Sequence, residues 1–450
     1  MINLGITRRS LLRGLGGLVA ASLLPLPSSC AIGTPQDLRV LRGLNIREFS
    51  IKGYNQVLLP RGHGQLIELT KSFTRRYPSR DHCMQMAAFF SKSSGLLIHT
   101  KDSVGYLSDW EIIPGDKLRI HFYGPEPDIE IRNIPPKIEA AAEYYKQWAH
   151  QQTWALNRRQ NAFPFSLIAV APNPNYSSQY LSIKKLSDVF PPPMGAWITQ
   201  WRRHEFDTMY PDYEPRDRQA FASLLSGLKN LQCTAFPYIN ALLLDDRLKS
   251  FTLSKAVALR NMNGSILQYS KKLPWLIYAC PASKAWQDTV IQSRTSLLDS
   301  EGIMSSGVYL DMLIAAGPFL CFAPDHGHAP GDPLAWQSGV SKILSSVEGV
   351  IMSEGNAEIY IDGVDALLMH LYTEQADTVP LWKLVYGDLT TSVGWQMPSA
   401  PTPEQLAAEL ARAMRFGASC NGSPWMTHVI QEALLKPEFK SAWAYLGGNK

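Results

Sequence analysis

Gly307-Val308-Tyr309-Leu310-Asp311 and, further on, Gly349-Val350-Ile351-Met352-Ser353-Glu354 are short apolar runs that each end in an acid. Runs of this kind suit strands covered on both faces, as in a parallel sheet. Working outward, the same unit recurs upstream at residues 166–171, 195–201 and 233–239. Downstream, residues 381–386 read as a sixth strand and 417–420 as a weak seventh. Helical spacing fills the intervals at 217–228, 283–300, 332–347, 359–370 and 403–416, where Pro403 and Glu404 suit a helix start. Repeated βα units over roughly 250–290 residues predict an α/β chain with a closed (β/α)8 TIM-like barrel. An open doubly wound sheet competes, but no glycine-rich dinucleotide fingerprint follows the first strand. The eighth strand is not apparent.

Ahead of the barrel the pattern changes. Residues 55–60, 64–72, 84–90, 95–100 and 117–123 are short apolar or alternating runs. Ser93-Ser94-Gly95 and Pro114-Gly115-Asp116 supply the turns between them. An antiparallel β-sandwich over residues 32–136 is expected. After Pro135-Pro136, a helical pattern from Lys137 to about Arg158 opens the barrel segment, residues 137–450. Residues 246–276 form a long, less regular excursion of the sort that often walls an active site. The tail, 426–446, looks helical.

The first 31 residues read as a leader. Thr7-Arg8-Arg9-Ser10-Leu11-Leu12-Arg13 resembles a twin-arginine signal, and the apolar stretch behind it is shorter than the roughly 20 residues of a membrane span. Pro27-Ser28-Ser29-Cys30 reads as a lipoprotein box with proline in place of leucine, and Ser29-Cys30-Ala31 equally suits cleavage after Ala31. The expectation is passage through the twin-arginine translocase to a periplasmic or extracellular place. Any membrane attachment would be a lipid on Cys30.

Composition narrows the functions. The chain has 450 residues, 45% of them hydrophobic and 18% charged, with a net charge of +4 and no long basic run. That favours a large core and argues against nucleic acid as a partner. Besides Cys30 there are Cys83, Cys233, Cys280, Cys321 and Cys420, an odd set with wide spacing, so neither a disulfide scaffold nor a zinc pattern is expected. Cys233 and Cys321 sit among apolar residues and read as buried thiols. No serine elbow, Walker loop or Cys-x-x-Cys occurs.

Barrel enzymes carry their chemistry just past the C-terminal ends of the strands. Asp311 and Glu354 end consecutive strands, and adjacent strands lie about 4.8 Å apart. Two carboxyls facing one another across a sugar are what glycoside hydrolysis needs. Mutual repulsion keeps one of them protonated. Asp311 is assigned as nucleophile and Glu354 as acid/base. A helix cap is the ordinary alternative for an acid at a strand end. Glu358 suits that role better and is the reserve acid. The substrate-binding candidates are Trp201, Arg202, Tyr238, Asn240, Tyr309, His326, His328, Asn356 and Glu358. Asp325-His326-Gly327-His328 invites a metal reading, but with no third ligand motif and no HExxH it is read as a loop that contacts substrate. No metal or cofactor is expected. Asp245 and Asp246 read as a solvated turn.

These segments resemble the bacterial DUF6259 family, carried by the 307–311 run, Asp325-His326-Gly327-His328 and Ser353-Glu354-Gly355-Asn356-Ala357-Glu358. The helix Trp148-Ala149-His150-Gln151-Gln152-Thr153-Trp154, the triplet Cys280-Pro281-Ala282 and the region 84–110 also fit. The resemblance covers about residues 84–370. It implies a glycosidase-like barrel preceded by a sandwich, and carbohydrate hydrolysis. The leading expectation is an exported retaining glycosidase with a carbohydrate substrate. The alternatives are a non-catalytic carbohydrate-binding or polysaccharide-assembly protein on the same barrel, and a metal-dependent hydrolase using His326 and His328.

Overall fold

The computed structural model describes residues 45–159, 165–171, 173–248, 256–299, 307–369, 377–396 and 402–422, with a few isolated positions beyond. The expected leader, Cys30 and nearly all of the tail at 426–446 lie outside these residues.

Nine strands come first: β1 (Asn45–Ser50), β2 (Gln56–Leu59), β3 (Gln65–Glu68), β4 (Phe73–Tyr77), β5 (Met86–Phe90), β6 (Gly95–Thr100), β7 (Ser108–Ile113), β8 (Lys117–Phe122) and β9 (Ile129–Ile134). They form two antiparallel sheets, ordered β1-β8-β7-β4 and β3-β2-β5-β6-β9. In β8 burial alternates along the strand, which puts Leu118, Ile120 and Phe122 on one covered face. Strand β5 is buried throughout, as its unbroken apolar run requires. Helices α1 (Ile138–Ala149) and α2 (Thr153–Leu156) follow.

The barrel then closes. Its strands are β10 (Leu167–Ala171), β11 (Met194–Ile198), β12 (Cys233–Asn240), β16 (Gly307–Asp311), β17 (Val350–Glu354), β18 (Ala366–Leu368), β19 (Thr391–Trp395) and β20 (Ala418–Gly422). All pair in parallel, and β20 returns to β10. The connecting helices are α3 (Tyr176–Ser187), α4 (Arg218–Asn230), α5 (Lys284–Asp299), α6 (Ala335–Ser346), α7 (Leu381–Tyr386) and α8 (Pro403–Arg415). Helix α8 starts with a capping box between Thr402 and Gln405, next to the Pro403 and Glu404 start signal. Between β12 and α5 the excursion folds into a small sheet of β13 (Leu243–Asp245), β15 (Leu273–Tyr278) and β14 (Gln268–Ser270).

Three assignments from the sequence are corrected. Residues 381–386 form helix α7, not a strand. A six-residue apolar run has too little length for its periodicity to decide, and Pro380 leads into a helical turn that buries Leu381, Trp382, Val385 and Tyr386. Of the expected helix at 359–370, the described residues 359–369 are not helical: a 3-10 turn (Glu358–Tyr360) leads to β18, the true sixth strand. The seventh strand, β19, carries Gly394 at φ +84° and a register shift between Ser392 and Trp395, so it lacks a clean strand pattern. The run at 417–420 is then the eighth strand, and the barrel is complete. Among the described residues no helix is long and apolar enough to cross a membrane.

The N-terminal sheets are fastened to the barrel by buried polar contacts. Glu358 accepts from the hydroxyls of Tyr145 (2.7 Å) and Tyr386 (2.6 Å) and from the Gln85 backbone N–H (3.0 Å). Asn356 Nδ2 donates to the Gly62 carbonyl at 2.9 Å. Gln337 donates to the Gly105 carbonyl at 3.0 Å. The segment that carries Arg80 is thereby held at the barrel mouth.

Candidate active site

Register places the two acids. In the β12–β16 pair Tyr238 faces Tyr309 and Asn240 faces Asp311. In the β16–β17 pair Leu310 faces Ser353, so Asp311 and Glu354 are the next residues on adjacent strands. Side chains alternate along a strand, so Tyr309 and Asp311 share a side, as do Tyr238 and Asn240. All four groups meet at one end of the barrel, and the Asp311 and Glu354 carboxyls share a hydrogen bond. Directly behind Glu354, Gly355 turns the chain at φ +78°, where an added Cβ would come within 3.0 Å of the Ala315 backbone.

Asp311 is the better-solvated anion of the pair. Tyr238 OH donates to its Oδ2 at 2.8 Å, Asn240 Nδ2 to the same oxygen at 3.3 Å, and Tyr309 OH to Oδ1 at 3.0 Å. Burial raises its pKa, and the Tyr238 and Tyr309 hydrogen bonds pull back against that rise. Glu354 is 7% exposed and has fewer such donors. Burial first, and then the Asp311 charge, push it up to about 8; the Arg80 guanidinium, 3.8 Å away, only partly offsets this. The two environments thus differ in direction: the donors around Asp311 favour its charged form, and burial beside the Asp311 charge favours a protonated Glu354.

A third acid comes from the loop after β11. Burial and the charge of Asp311 raise Asp207 to about 6. Its carboxylate accepts from Tyr210 OH at 3.2 Å. Tyr210 OH also lies 3.2 Å from Tyr238 OH, so two phenols connect Asp207 to Asp311. The excursion holds this loop: Met209 N–H donates to Asp245, and Trp275 Nε1 to the Asp207 carbonyl at 3.2 Å. Asp245 is buried, which corrects its reading as a solvated turn. Tyr269 of β14 feels the charges of Asp207, Asp311, Glu354 and Arg80 together, which sets this part of the excursion on the side of the acids. Sequence reasoning missed Asp207, Arg80 and Tyr269. The only local signal was for Asp207, in the aromatic and charged stretch 201–213 directly after a strand.

Several expected substrate contacts are placed elsewhere. Trp201 is fully buried, stacks on Phe221 at 5.0 Å and donates to the Tyr238 carbonyl, so its faces are unavailable to a sugar. Arg202 is 1% exposed and its guanidinium lies 4.4 Å over the Tyr210 ring. Glu358 and Asn356 are both fully buried in the junction with the N-terminal sheets, which removes Glu358 as a reserve acid. Tyr238, Asn240 and Tyr309 reach Asp311 as buried donors. His326 and His328 do not join the acids. They meet Cys280 and Cys321, with all four ligand atoms within 4.8 Å of one another.

The family model described as a domain of unknown function, DUF6259, matches residues 131–397. A Bacteroides thetaiotaomicron protein described as "Putative glycoside hydrolase" is 28% identical over 282 residues. The match covers 59% of this chain and 40% of that one. A Monosiga brevicollis protein with a similar description is 27% identical over 214 residues, covering 43% of this chain and 18% of that one. The match thus spans less than half the length of either curated relative. Among solved structures, the α-N-acetylgalactosaminidase NagBb of Bifidobacterium bifidum superposes with a TM-score of 0.66 at 12% identity. It covers 86% of this chain and 74% of that one. The Thermus thermophilus α-galactosidase TtGalA, in complex with stachyose, gives 0.60 at 13% identity, over 87% and 93%. At these identities the likeness is one of fold.

Proposed function

The chain belongs to the DUF6259 family, and from that premise we propose that it is a retaining glycoside hydrolase with Asp311 as nucleophile and Glu354 as acid/base. The observation that carries this reading is the carboxyl pair itself. Two acids end adjacent strands; the donor-rich one, Asp311, has its charged form favoured by Tyr238, Asn240 and Tyr309, and the donor-poor one, Glu354, is pushed up to about 8. This is the division of labour that a double displacement requires. The Asp311 carboxylate attacks the anomeric carbon while the departing glycosidic oxygen takes the proton of Glu354. Glu354, now a base, then deprotonates a water that attacks the glycosyl ester and frees Asp311.

Retaining pairs stand roughly 5–5.5 Å apart, farther than two hydrogen-bonded carboxyls. A sugar ring entering between them therefore breaks the Asp311–Glu354 hydrogen bond. Glu354, the longer and more flexible side chain, turns aside to meet the leaving oxygen. Substrate binding thus separates a hydrogen-bonded pair into an anion and an acid. Because the neighbouring structures carry the names of an α-N-acetylgalactosaminidase and an α-galactosidase, α-N-acetylgalactosaminides and α-galactosides head the substrates to try. The twin-arginine-like leader adds export to this reading.

The test is a panel of aryl α- and β-glycosides with the parent, Asp311→Asn and Glu354→Gln. On a substrate that the parent cleaves, both variants should lose at least about a hundredfold in kcat/KM, within the usual range for general acid–base catalysis. Full activity in either variant rejects its assignment. Saturable glycan binding without turnover by the parent would favour the binding-protein alternative.

A further inference from the structure

We propose that Cys280, Cys321, His326 and His328 form a structural zinc site that clips the excursion after β12 to the loop after β16. The four side chains come from two places. Cys280 ends the β15 arm of the excursion, just before α5. Cys321, His326 and His328 lie in the loop that follows Asp311 and leads to α6.

The geometry fits a tetrahedral ion. With Zn–S near 2.3 Å and Zn–N near 2.0–2.1 Å, a tetrahedron sets each sulfur about 3.5 Å from each nitrogen. Cys280 Sγ is 3.4 Å from His328 Nε2, and Cys321 Sγ is 3.4 Å from His326 Nδ1. The remaining separations fall inside 4.8 Å. A thiol lying against an imidazole makes only a weak hydrogen bond, a poor return for burying four polar groups. One ion that binds all four offsets that cost.

The surroundings fit too. His328 Nδ1 lies 2.8 Å from the Ala329 carbonyl. That contact fixes the proton on Nδ1 and leaves the Nε2 lone pair facing Cys280, the usual second partner of a metal-bound histidine. Gly327 between the histidines has φ +80°, a left-handed turn that lets both rings converge, with centroids 6.0 Å apart. Cys280, Cys321 and His326 are buried, so water competes poorly.

On binding, each thiol loses its proton to solvent. Two thiolates and two neutral imidazoles around a divalent cation make a neutral centre, which suits burial. Two sulfurs and two nitrogens at tetrahedral spacing select zinc over magnesium or calcium, which prefer oxygen ligands. Four protein ligands leave no open position, so the ion is structural and not a Lewis acid for the reaction. Its effect on the acids is to fix the two segments that flank them. The excursion carries Tyr269, and the clipped loop carries Ala315, which packs against Gly355 behind Glu354.

The test begins with elemental analysis of full-length protein purified without chelator. About one zinc per chain is expected. Addition of a mercurial should release that zinc to a colour reagent. Protein refilled with cobalt should show the visible bands of a tetrahedral ion and a near-ultraviolet thiolate-to-cobalt band. Cys321→Ser should shift the cobalt spectrum or abolish binding. If that variant fails to fold, the cobalt spectrum of the parent alone decides. Zinc far below one per chain together with a cobalt spectrum lacking thiolate character would overturn the proposal, as would a Cys280–Cys321 disulfide in the parent.

Discussion

The phenol of Tyr238 donates a 2.8 Å hydrogen bond to Oδ2 of Asp311, one strand away. It stabilises the carboxylate against the burial that would otherwise protonate it. Tyr238→Phe removes that donor, and Asp311 then gains its proton at higher pH. The acid limb of the kcat/KM profile should move up. Activity should fall about 10–100-fold, from the roughly 1.5–3 kcal/mol of a hydrogen bond to a charged group. An unchanged acid limb would show that Tyr238 only packs.

Arg80 acts on the other acid. Its cation, 3.8 Å from Glu354, favours the ionised form and holds that pKa down to about 8. Arg80→Gln should therefore move the basic limb of the profile to higher pH and leave the acid limb in place. A downward move would contradict this electrostatic assignment, and no move would mean that the N-terminal sheets do not reach the chemistry.

Glu354 also makes stability depend on pH. Its folded pKa lies above the ordinary 4.5, so the folded state binds a proton that the unfolded chain releases between 4.5 and about 8. Its contribution is fully present below about pH 4.5 and is lost as pH rises through about 8. Glu354→Gln, neutral throughout, should raise Tm relative to the parent near pH 8, with the gap closing toward pH 4.5. A gap that widens as the pH falls would reverse the sign of the argument.

Glu358 provides the contrast. Its carboxyl joins Gln85, Tyr145 and Tyr386 in a fully buried junction. Glu358→Ala strands those donors at roughly 1–3 kcal/mol each, so denaturation should shift strongly while kcat per folded molecule stays near that of the parent. A selective loss of kcat would return Glu358 to the list of catalytic acids.

These cases show what a linear sequence carries. The placement of Asp311 and Glu354 side by side was legible because its signal is local: an apolar run buries a strand, and the acid that ends it falls at the barrel rim. The rim itself holds several kinds of position. Trp201 and Arg202 also follow a strand, yet they turn into the packing around α4 and Tyr210. Arg80 and Tyr269 approach the acids from the N-terminal sheets and from the excursion, by tertiary contacts that no spacing rule describes. Strand β18 has three residues, too few to show a period. The histidines of 326–328 were visible as candidate ligands. Cys321, five residues upstream in the same loop, read only as a buried thiol among apolar neighbours, and Cys280 joins the group only through the fold of the excursion.

Asp311 as nucleophile and Glu354 as its acid/base, the roles we propose, predict a glycosyl enzyme that can be trapped. The most direct measurement is intact-protein mass spectrometry of Glu354→Ala mixed with a dinitrophenyl glycoside of a sugar that the parent accepts. A good leaving group departs without acid help, but hydrolysis of the glycosyl enzyme then lacks its base. The variant should gain the mass of one glycosyl residue, and peptide mapping should place it on Asp311. A persistently unmodified protein that still turns over the substrate, or a label on another residue, would contradict the account.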